Sequence, residues 1–264
     1  MALEQVMLTP CKSEQELLEH FGCYGFEKQS DFYQTIGDND WQIDINQGVI
    51  HFGNNITFSI QLLGSFSLSS ETWLWSWNND TSQLPSSVIE QALSLKQYGE
   101  QNGIDLFTVG QFAATQEDLY KIGVIAAGML NTDGYYLADF GEGIVLVTVK
   151  KALIDVKNNT QSGLFKILPK FIGGLFNSSS SQGNDISYGD QQKQNQTDIF
   201  ANFSEFISNF DVNHYRALKY YLIAKDYRID TDDLNTHSQL TASKGEQKIV
   251  AEFDEHSRIT SLNG

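Results

Sequence analysis

The run from Glu71 to Asn79 constrains the fold most, because three of the four tryptophans in the chain fall there at every second position. In an extended strand, residues two apart point to the same face, so Trp73, Trp75 and Trp77 would present their indoles together. Such a face could act as a recognition platform, since an indole combines a large apolar area with one N–H donor. Tryptophan is highly buried on average, however. The sequence therefore predicts a strand whose indoles lie in the core, with an exposed platform as the alternative.

Residues around this run resemble those of a known family. Thr72-Trp73-Leu74-Trp75-Ser76-Trp77 follows Gly64-Ser65-Phe66-Ser67, and the hairpin-like segments Trp41 to Ile45 and Val49 to Phe52 precede both. Over roughly residues 10 to 150, this pattern resembles an uncharacterised bacterial family of unknown function that is marked by a Thr-Trp-Leu-Trp-small-Trp core. The resemblance implies a bacterial, cytosolic setting and supplies no catalytic residues.

A two-residue hydrophobic period begins at Trp41 and predicts successive strands. Trp41 to Ile45 and Val49 to Phe52 alternate on either side of the turn Asn46-Gln47-Gly48. Apolar residues then keep one parity from Ile56 to Leu68, with Gly64 at a position suited to a bulge or a close backbone approach. With the tryptophan strand, these segments predict an antiparallel β-meander that has one covered face.

Capping boxes at positions 13–16 and 87–90 precede apolar residues and predict two helices, and residues 115–118 are predicted to open a third. Asn102-Gly103 predicts a left-handed stop for the second of these helices. Residues 24–40 show no period, so no element is predicted there. Residues 106–112 suggest a short strand, and residues 135–138 and 144–150 a final hairpin.

A change in composition predicts how the chain is divided. Residues 1–157 would form an acidic α+β domain, residues 158–196 an apolar and basic segment followed by a flexible Ser/Gln/Asn-rich linker, and residues 197–264 a small C-terminal domain. In the last part, a phenylalanine-rich helical period from Ile199 to Phe210 and a second helix after it precede three strands. The predicted fold class is α+β: a β-meander covered by helices, followed by two helices and β-hairpins.

Residues 164–176 are apolar and basic, so they could dock on a membrane surface or on the acidic domain of the same chain. Docking on the protein is favoured because Pro169 interrupts a helix there. No run is long enough to span a membrane and the first residues lack a leader, which together predict a soluble, cytoplasmic protein without stable membrane insertion. The C-terminal domain could also exchange between protomers and give a homodimer.

The net charge of −16 is unevenly distributed along the chain. Residues 1–149 carry 19 Asp and Glu against four Lys, which gives a charge of −15 in that part. A negative field repels nucleic acid and accelerates association with a basic partner. The sequence therefore predicts a basic protein partner and no nucleic acid, although a generally acidic protein without such a partner would have the same composition.

Motifs for catalysis, phosphate binding or metal binding are absent from the sequence, and the only two cysteines, Cys11 and Cys23, are too far apart for a metal or redox motif. No cofactor is predicted and enzymatic activity is not favoured. The leading hypothesis is a bacterial cytosolic interaction protein, such as an immunity or antitoxin-like inhibitor of a basic nuclease toxin. The alternative is an enzyme or small-ligand binder with a pocket beside the tryptophan strand. Candidate binding residues are Trp73, Trp75, Trp77, Glu71, Asp38, Asp40 and Asp44.

Overall fold

A computed structural model describes residues 10–79, 81–151, 188–232 and 238–264. The fold is α+β, as predicted: a curled seven-stranded antiparallel sheet with its helices, followed by helices and a smaller four-stranded antiparallel sheet. The large sheet comprises β1 (Trp41–Asp44), β2 (Val49–Phe52), β3 (Ile56–Ser67), β4 (Thr72–Trp75), β5 (Gln111–Ala113), β6 (Gly134–Asp139) and β7 (Gly143–Lys151). The small sheet comprises β8 (Arg228–Asp232), β9 (Gln239–Lys244), β10 (Gln247–Phe253) and β11 (Ile259–Asn263).

The helices of the described residues fall into three groups along the chain. The first is α1 (Glu14–Leu17), a π-helix (Leu18–Gly22) and α2 (Cys23–Ile36), which follow one another without a break. The second is α3 (Glu90–Asn102), α4 (Asp105–Thr108) and α5 (Gln116–Met129). The third is α6 (Tyr188–Asn209) and α7 (His214–Ala224). Short 3-10 helices cover Ser76–Asn78 and Ser86–Val88.

The predicted meander is present in the order β1-β2-β3-β4-β5, and β3 organises it. The first part of β3 pairs with β2, its last part pairs with β4, and nearly its whole length pairs with β7. The pairing of β3 with β7 shifts register between Leu62 and Gly64, which confirms the bulge predicted near Gly64. A Cβ atom at Gly64 would overlap the carbonyl oxygen of Leu74 and lie 2.5 Å from Cζ2 of Trp73, so only glycine fits here.

The bulge also overturns the prediction that the meander has a single covered face. Phe58, Ile60 and Leu62 pack with Phe32 of α2, whereas Phe66 packs in the larger core with Trp73, Trp75 and Leu63. An extra residue in one strand changes which side chains face which side from that point onward. Apolar residues at even positions of β3 are therefore divided between two separate cores, one before the bulge and one after it.

Helix α2 was not predicted, because its buried face is not uniformly apolar. Gly25 lies on that face, where a Cβ would overlap the carbonyl oxygen of Val124 in α5. Gln29 is fully buried on the same face, and its Oε1 accepts the backbone N–H of Tyr135 at 2.7 Å. A glycine and a glutamine at buried positions hide the helical period that hydrophobicity alone would show.

One of the two predicted capping boxes marks a real helix start, and the helix start predicted at 115–118 is also confirmed. The Ser13 hydroxyl accepts the N–H of Glu16, and Thr115 and Asp118 cap each other reciprocally. The box at 87–90 is wrong, since a 3-10 helix occupies Ser86–Val88 and no side chain caps α3. Gly103 ends α3 in the left-handed region (φ 72°), as predicted. The strand suggested at 106–112 is correct only at its end: residues 106–108 belong to helix α4, and strand β5 begins at Gln111.

In the C-terminal part, the predicted three strands and two helices are confirmed, with β8 as an additional strand. Helix α6 begins at Tyr188, inside the segment predicted to be a flexible linker. The rest of that segment, including residues 164–176 and their predicted docking, lies outside the described residues.

The two predicted domains share a core. Phe206 of α6 lies beside Phe26 of α2 with ring centroids 6.0 Å apart, and a Cβ on Gly22 would lie 2.9 Å from its ring. Buried residues of the N-terminal helix and of α7 belong to the same apolar cluster. Whether residues 197–264 fold independently stays a prediction, but their packing surface is supplied by residues before 158.

Two acidic residues of the N-terminal helix hold α7 in place. Glu19 is buried and accepts the backbone N–H of Asn213 at 3.1 Å and Nη1 of Arg216 at 3.3 Å. Two helical turns later, Glu27 accepts the Tyr221 hydroxyl at 2.9 Å and Nζ of Lys225 at 2.6 Å. Both carboxylates are largely removed from water, with side-chain exposures of 4% for Glu19 and 13% for Glu27, whereas the Arg216 side chain is 47% exposed. Losing a partner therefore leaves buried polar groups unpaired.

Replacing Glu27 with Ala is expected to lower the free energy of unfolding by about 2 kcal/mol, because the buried Tyr221 hydroxyl and the Lys225 ammonium both lose their acceptor. Urea denaturation measures the change, and a double-mutant cycle with Lys225→Ala isolates the pairwise part. Glu100→Ala is the matched control, since its contact with Lys96 is exposed and long at 3.9 Å. An effect of Glu27→Ala no larger than that of the control would show that α7 is not held at this point.

Candidate functional site

Trp73 and Trp75 lie in the core, side by side on one face of β4. Neither ring has exposed surface, and they meet edge to face with centroids 5.2 Å apart. The Trp75 indole donates to the carbonyl oxygen of Leu106 at 2.9 Å. The structure therefore supports the prediction that these two indoles lie in the core rather than on an exposed platform. A ligand could reach them only by displacing the helices that cover them.

Trp77 lies beyond the end of β4, so the prediction that one extended strand carries all three indoles is wrong, although Trp77 packs against the same core cluster. Strand β4 ends at Trp75, and the chain turns into a 3-10 helix in which the Ser76 hydroxyl donates to the carbonyl oxygen of Leu62 at 2.8 Å. Trp77 is half-buried, with Nζ of Lys96 lying 4.3 Å from its ring centroid. The exposed face of this indole is thus already used by a cation of the same chain.

The four acidic candidates lie in three different turns. Glu71 is exposed in the turn before β4, where its φ is 49° and its carbonyl oxygen accepts the N–H of Ala114. Asp38 and Asp40 are exposed between α2 and β1, and Asp44 closes the β1–β2 turn by accepting the N–H of Gln47 at 3.0 Å. These positions bring Asp38 and Asp40 together beside Trp41, and they place Glu71 in another loop.

Sequence reasoning missed an aromatic surface next to Asp38 and Asp40. Phe140, at the turn between β6 and β7, keeps 37% of its surface exposed, and its ring meets the Trp41 ring at 90° with centroids 5.5 Å apart. Exposed carboxylates flank both rings in the chain: Asp139 and Glu142 beside Phe140, Asp38 and Asp40 beside Trp41. We call these six residues the Phe140 patch. The only sequence signal for it is a phenylalanine within a polar, glycine-rich hairpin turn.

A second cluster that the sequence did not reveal joins a cysteine to a histidine. Sγ of Cys11 lies 3.2 Å from Nδ1 of His20, the backbone N–H of Cys11 donates to the Tyr98 hydroxyl, and the His20 ring lies on Tyr220 with centroids 3.5 Å apart. Burial raises the pKa of the Cys11 thiol to about 11 and lowers the pKa of His20 to about 4. Both groups are therefore neutral at pH 7, whereas a nucleophilic cysteine needs the thiolate. With no exposed surface on Cys11, the cluster is structural.

Acidification is expected to destabilise the protein through His20. The unfolded chain takes up the proton near the ordinary pKa of 6.5, while the folded state resists it down to about 4. The free energy of unfolding therefore falls as the pH drops through that interval, by on the order of 3 kcal/mol. Comparing urea denaturation of the wild type and His20→Asn from pH 7 to pH 4 measures this contribution. The slope should be smaller in the variant.

The comparison between variants is needed because His214 also has a pKa lowered by burial and by Arg258. Burial raises the pKa of Glu14 and Asp31, so the folded state takes up their protons more readily than the unfolded chain does. These two groups therefore raise the free energy of unfolding as the pH falls, opposite to the effect of His20. His256, which is exposed, provides the control substitution. Equal slopes in the wild type, His20→Asn and His256→Asn would contradict the assignment.

Within the described ranges, no group of three or more His, Cys, Asp or Glu side chains is arranged to hold a metal ion. No helix in the same part of the chain is long and apolar enough to cross a membrane.

The geometry so far defines a class: an α+β protein whose curled antiparallel sheet is packed against helices and carries an acidic, partly aromatic surface. The chain belongs to the family described as a family of unknown function (DUF6882), whose model matches residues 15–150. Membership in a family of unknown function is thus confirmed. That the tryptophan motif marks this family, and that the protein is bacterial, stay predictions. No curated protein and no solved structure matches the chain.

Proposed function

We propose that this protein is a bacterial cytosolic interaction protein that binds a basic protein partner, such as an immunity or antitoxin-like inhibitor of a nuclease toxin. The observation that carries the proposal is the uncompensated negative charge of residues 1–149, which hold 19 acidic residues and four lysines. Complementary fields of this kind accelerate association and select partners by charge.

The side-chain contacts of those lysines support this view. Nζ of Lys28 lies 5.3 Å from the Tyr24 ring centroid, Lys96 covers Trp77, and Lys121 is 3.6 Å from the carboxylate of Asp118. Three of the four cations are thus engaged on their own domain. In contrast, exposed acids occur in nearly every surface loop and helix of this part: Glu14, Asp31, Asp38, Asp40, Glu71, Glu90, Glu100, Asp105, Glu117, Asp139 and Glu142.

Capture across a salt series tests the proposal. The immobilised full-length protein should retain a basic protein from a lysate of its own source at about 0.05 M salt and progressively lose it toward 0.5 M, because screening weakens interactions between exposed charges. If the retained protein is a nuclease, adding the acidic protein should suppress cleavage of nucleic acid. Recovery of the protein alone at every salt concentration would contradict the proposal.

The alternative of an enzyme or small-ligand binder with a pocket beside the tryptophan strand stays a prediction. The burial of Trp73 and Trp75 removes the two indoles that would have lined such a pocket. A homodimer through the C-terminal part also stays a prediction, and size-exclusion chromatography with light scattering tests it directly.

A further inference from the structure

We propose that the Phe140 patch is the surface on which the basic partner is bound, and that it takes an arginine side chain whose guanidinium stacks on the exposed Phe140 ring. This inference rests on the proposed function and adds to it a location and a residue type. The patch lies entirely within residues 15–150, the part of the chain that the family model matches.

The Phe140 ring is held rigidly in an exposed position. The N–H of Phe140 donates to the carbonyl oxygen of Gly143 at 3.0 Å, and the N–H of Gly141 donates to Oδ1 of Asp139 at 2.7 Å, so the turn is closed by its own hydrogen bonds. Trp41 supports the ring from one side and is itself packed on Tyr136, with centroids 5.7 Å apart. A rigid aromatic side chain loses little conformational entropy on binding, which suits it to be an anchor.

Charge around the ring favours a cation as the group that binds. The four acids of the patch are exposed, and each lies within three positions of Phe140 or Trp41 in the chain. In the described part of the chain, Lys side chains lie over Tyr24, Trp77 and Tyr227, and none is recorded over Phe140 or Trp41. An exposed ring whose chain neighbours are exposed carboxylates attracts a cation both through the ring quadrupole and through the nearby negative charges.

Arginine is favoured over lysine for a geometric reason. A planar guanidinium stacks on an aromatic ring and can at the same time donate paired hydrogen bonds to a carboxylate, whereas an ammonium is a strongly hydrated point charge. Trp41 itself is only 9% exposed and its indole N–H is buried, so the partner side chain would contact the exposed Phe140 ring rather than the Trp41 indole N–H.

The test uses two labelled peptides of equal charge, one of alternating Gly and Arg and one of alternating Gly and Lys, titrated with the full-length protein and followed by fluorescence anisotropy. Phe140→Ser should weaken binding of the Arg peptide about threefold to tenfold, since a cation–π contact contributes on the order of 1 kcal/mol. Binding of the Lys peptide should change less. Leu93→Ser is the matched control, because Leu93 is also an exposed apolar side chain, at 43%.

A second pair of variants separates stacking from charge. Phe140→Leu keeps the apolar area and removes the ring quadrupole. It should therefore also weaken binding of the Arg peptide and abolish the preference for Arg over Lys. Asp139→Asn keeps the oxygen that accepts the turn hydrogen bond and removes the negative charge. It should weaken the binding of both peptides more than Glu100→Gln, the control outside the patch, does. Thermal unfolding of each variant verifies that the fold is intact.

Two results would contradict the proposal that the Phe140 patch binds arginine. One is equal affinity of Phe140→Ser, Phe140→Leu and Leu93→Ser for the Arg peptide, and the other is no preference of the wild type for the Arg peptide over the Lys peptide. These outcomes leave the proposed function standing when the salt series still captures a basic partner. Failure of that capture overturns the proposed function, whatever the peptides show.

Discussion

Gly25→Ala is expected to destabilise the protein by about 3 kcal/mol, although alanine is the better helix former by about 1 kcal/mol. The reason is the crossing of α2 and α5, where the two backbones are in contact. A Cβ on Gly25 would overlap the carbonyl oxygen of Val124, and it would lie 2.8 Å from the backbone N of Gly128. Backbone atoms of a packed helix cannot move aside as a flexible side chain can, so the helices must separate.

Urea denaturation of Gly25→Ala, read as a shift of the midpoint at constant slope, measures the loss. Gly128→Ala should be comparably destabilising, because its Cβ would overlap the carbonyl oxygen of Phe21 from the other side of the same crossing. Gln34→Ala, at an exposed position of α2, controls for helix propensity and should be neutral or stabilising. A stabilised Gly25→Ala variant would show that the helices are farther apart than the structure has them.

Trp75→Ala is expected to cost about 3 to 5 kcal/mol, the range for removing a fully buried aromatic side chain. The ring is 0% exposed, meets Trp73 and Phe107 edge to face, and donates its N–H to Leu106. Its removal leaves a cavity between β4 and α4, with an unpaired carbonyl oxygen on the cavity wall. Thermal unfolding followed by near-ultraviolet circular dichroism measures the loss of stability together with the loss of ordered indole packing.

Phenylalanine substitutions at the two core tryptophans should separate packing from hydrogen bonding. Trp75→Phe loses the bond to Leu106, whereas Trp73→Phe loses none, since the Trp73 N–H is buried without an acceptor among the described residues. We therefore expect Trp75→Phe to be the more destabilising of the two by about 1 kcal/mol. The reverse order, or equal losses, would mean that the bond to Leu106 contributes nothing net.

The elements that the sequence predicted differ from those that it did not predict in what their buried side chains contact. The β1–β2 hairpin, α5 and β10 were predicted because their buried residues are apolar at regular spacing and their caps or turns are local. Helix α2 was missed because Gly25 and Gln29 occupy its buried face for reasons that lie in α5 and β6. No window of the sequence contains both partners of such a contact.

The candidate site divides in the same way. The burial of Trp73 and Trp75 followed from strand alternation and from the high average burial of tryptophan. The end of the strand before Trp77 depends on the 3-10 turn after Trp75, where the Ser76 hydroxyl donates to the carbonyl oxygen of Leu62. The Phe140 patch joins residues about 100 positions apart, a pairing that exists only because the sheet curls.

Amino-acid order by itself determined the fold class, most strands, the bulge at Gly64 and the acidic charge of residues 1–149, because each follows from local periodicity, local sterics or a sum over residues. Tertiary structure alone decided that β3 serves two cores, that Glu19 and Glu27 hold α7, and that the Phe140 ring packs against Trp41. Those features depend on contacts between distant segments, whose geometry is set by sheet curl and helix crossing and leaves no periodic signal in the chain.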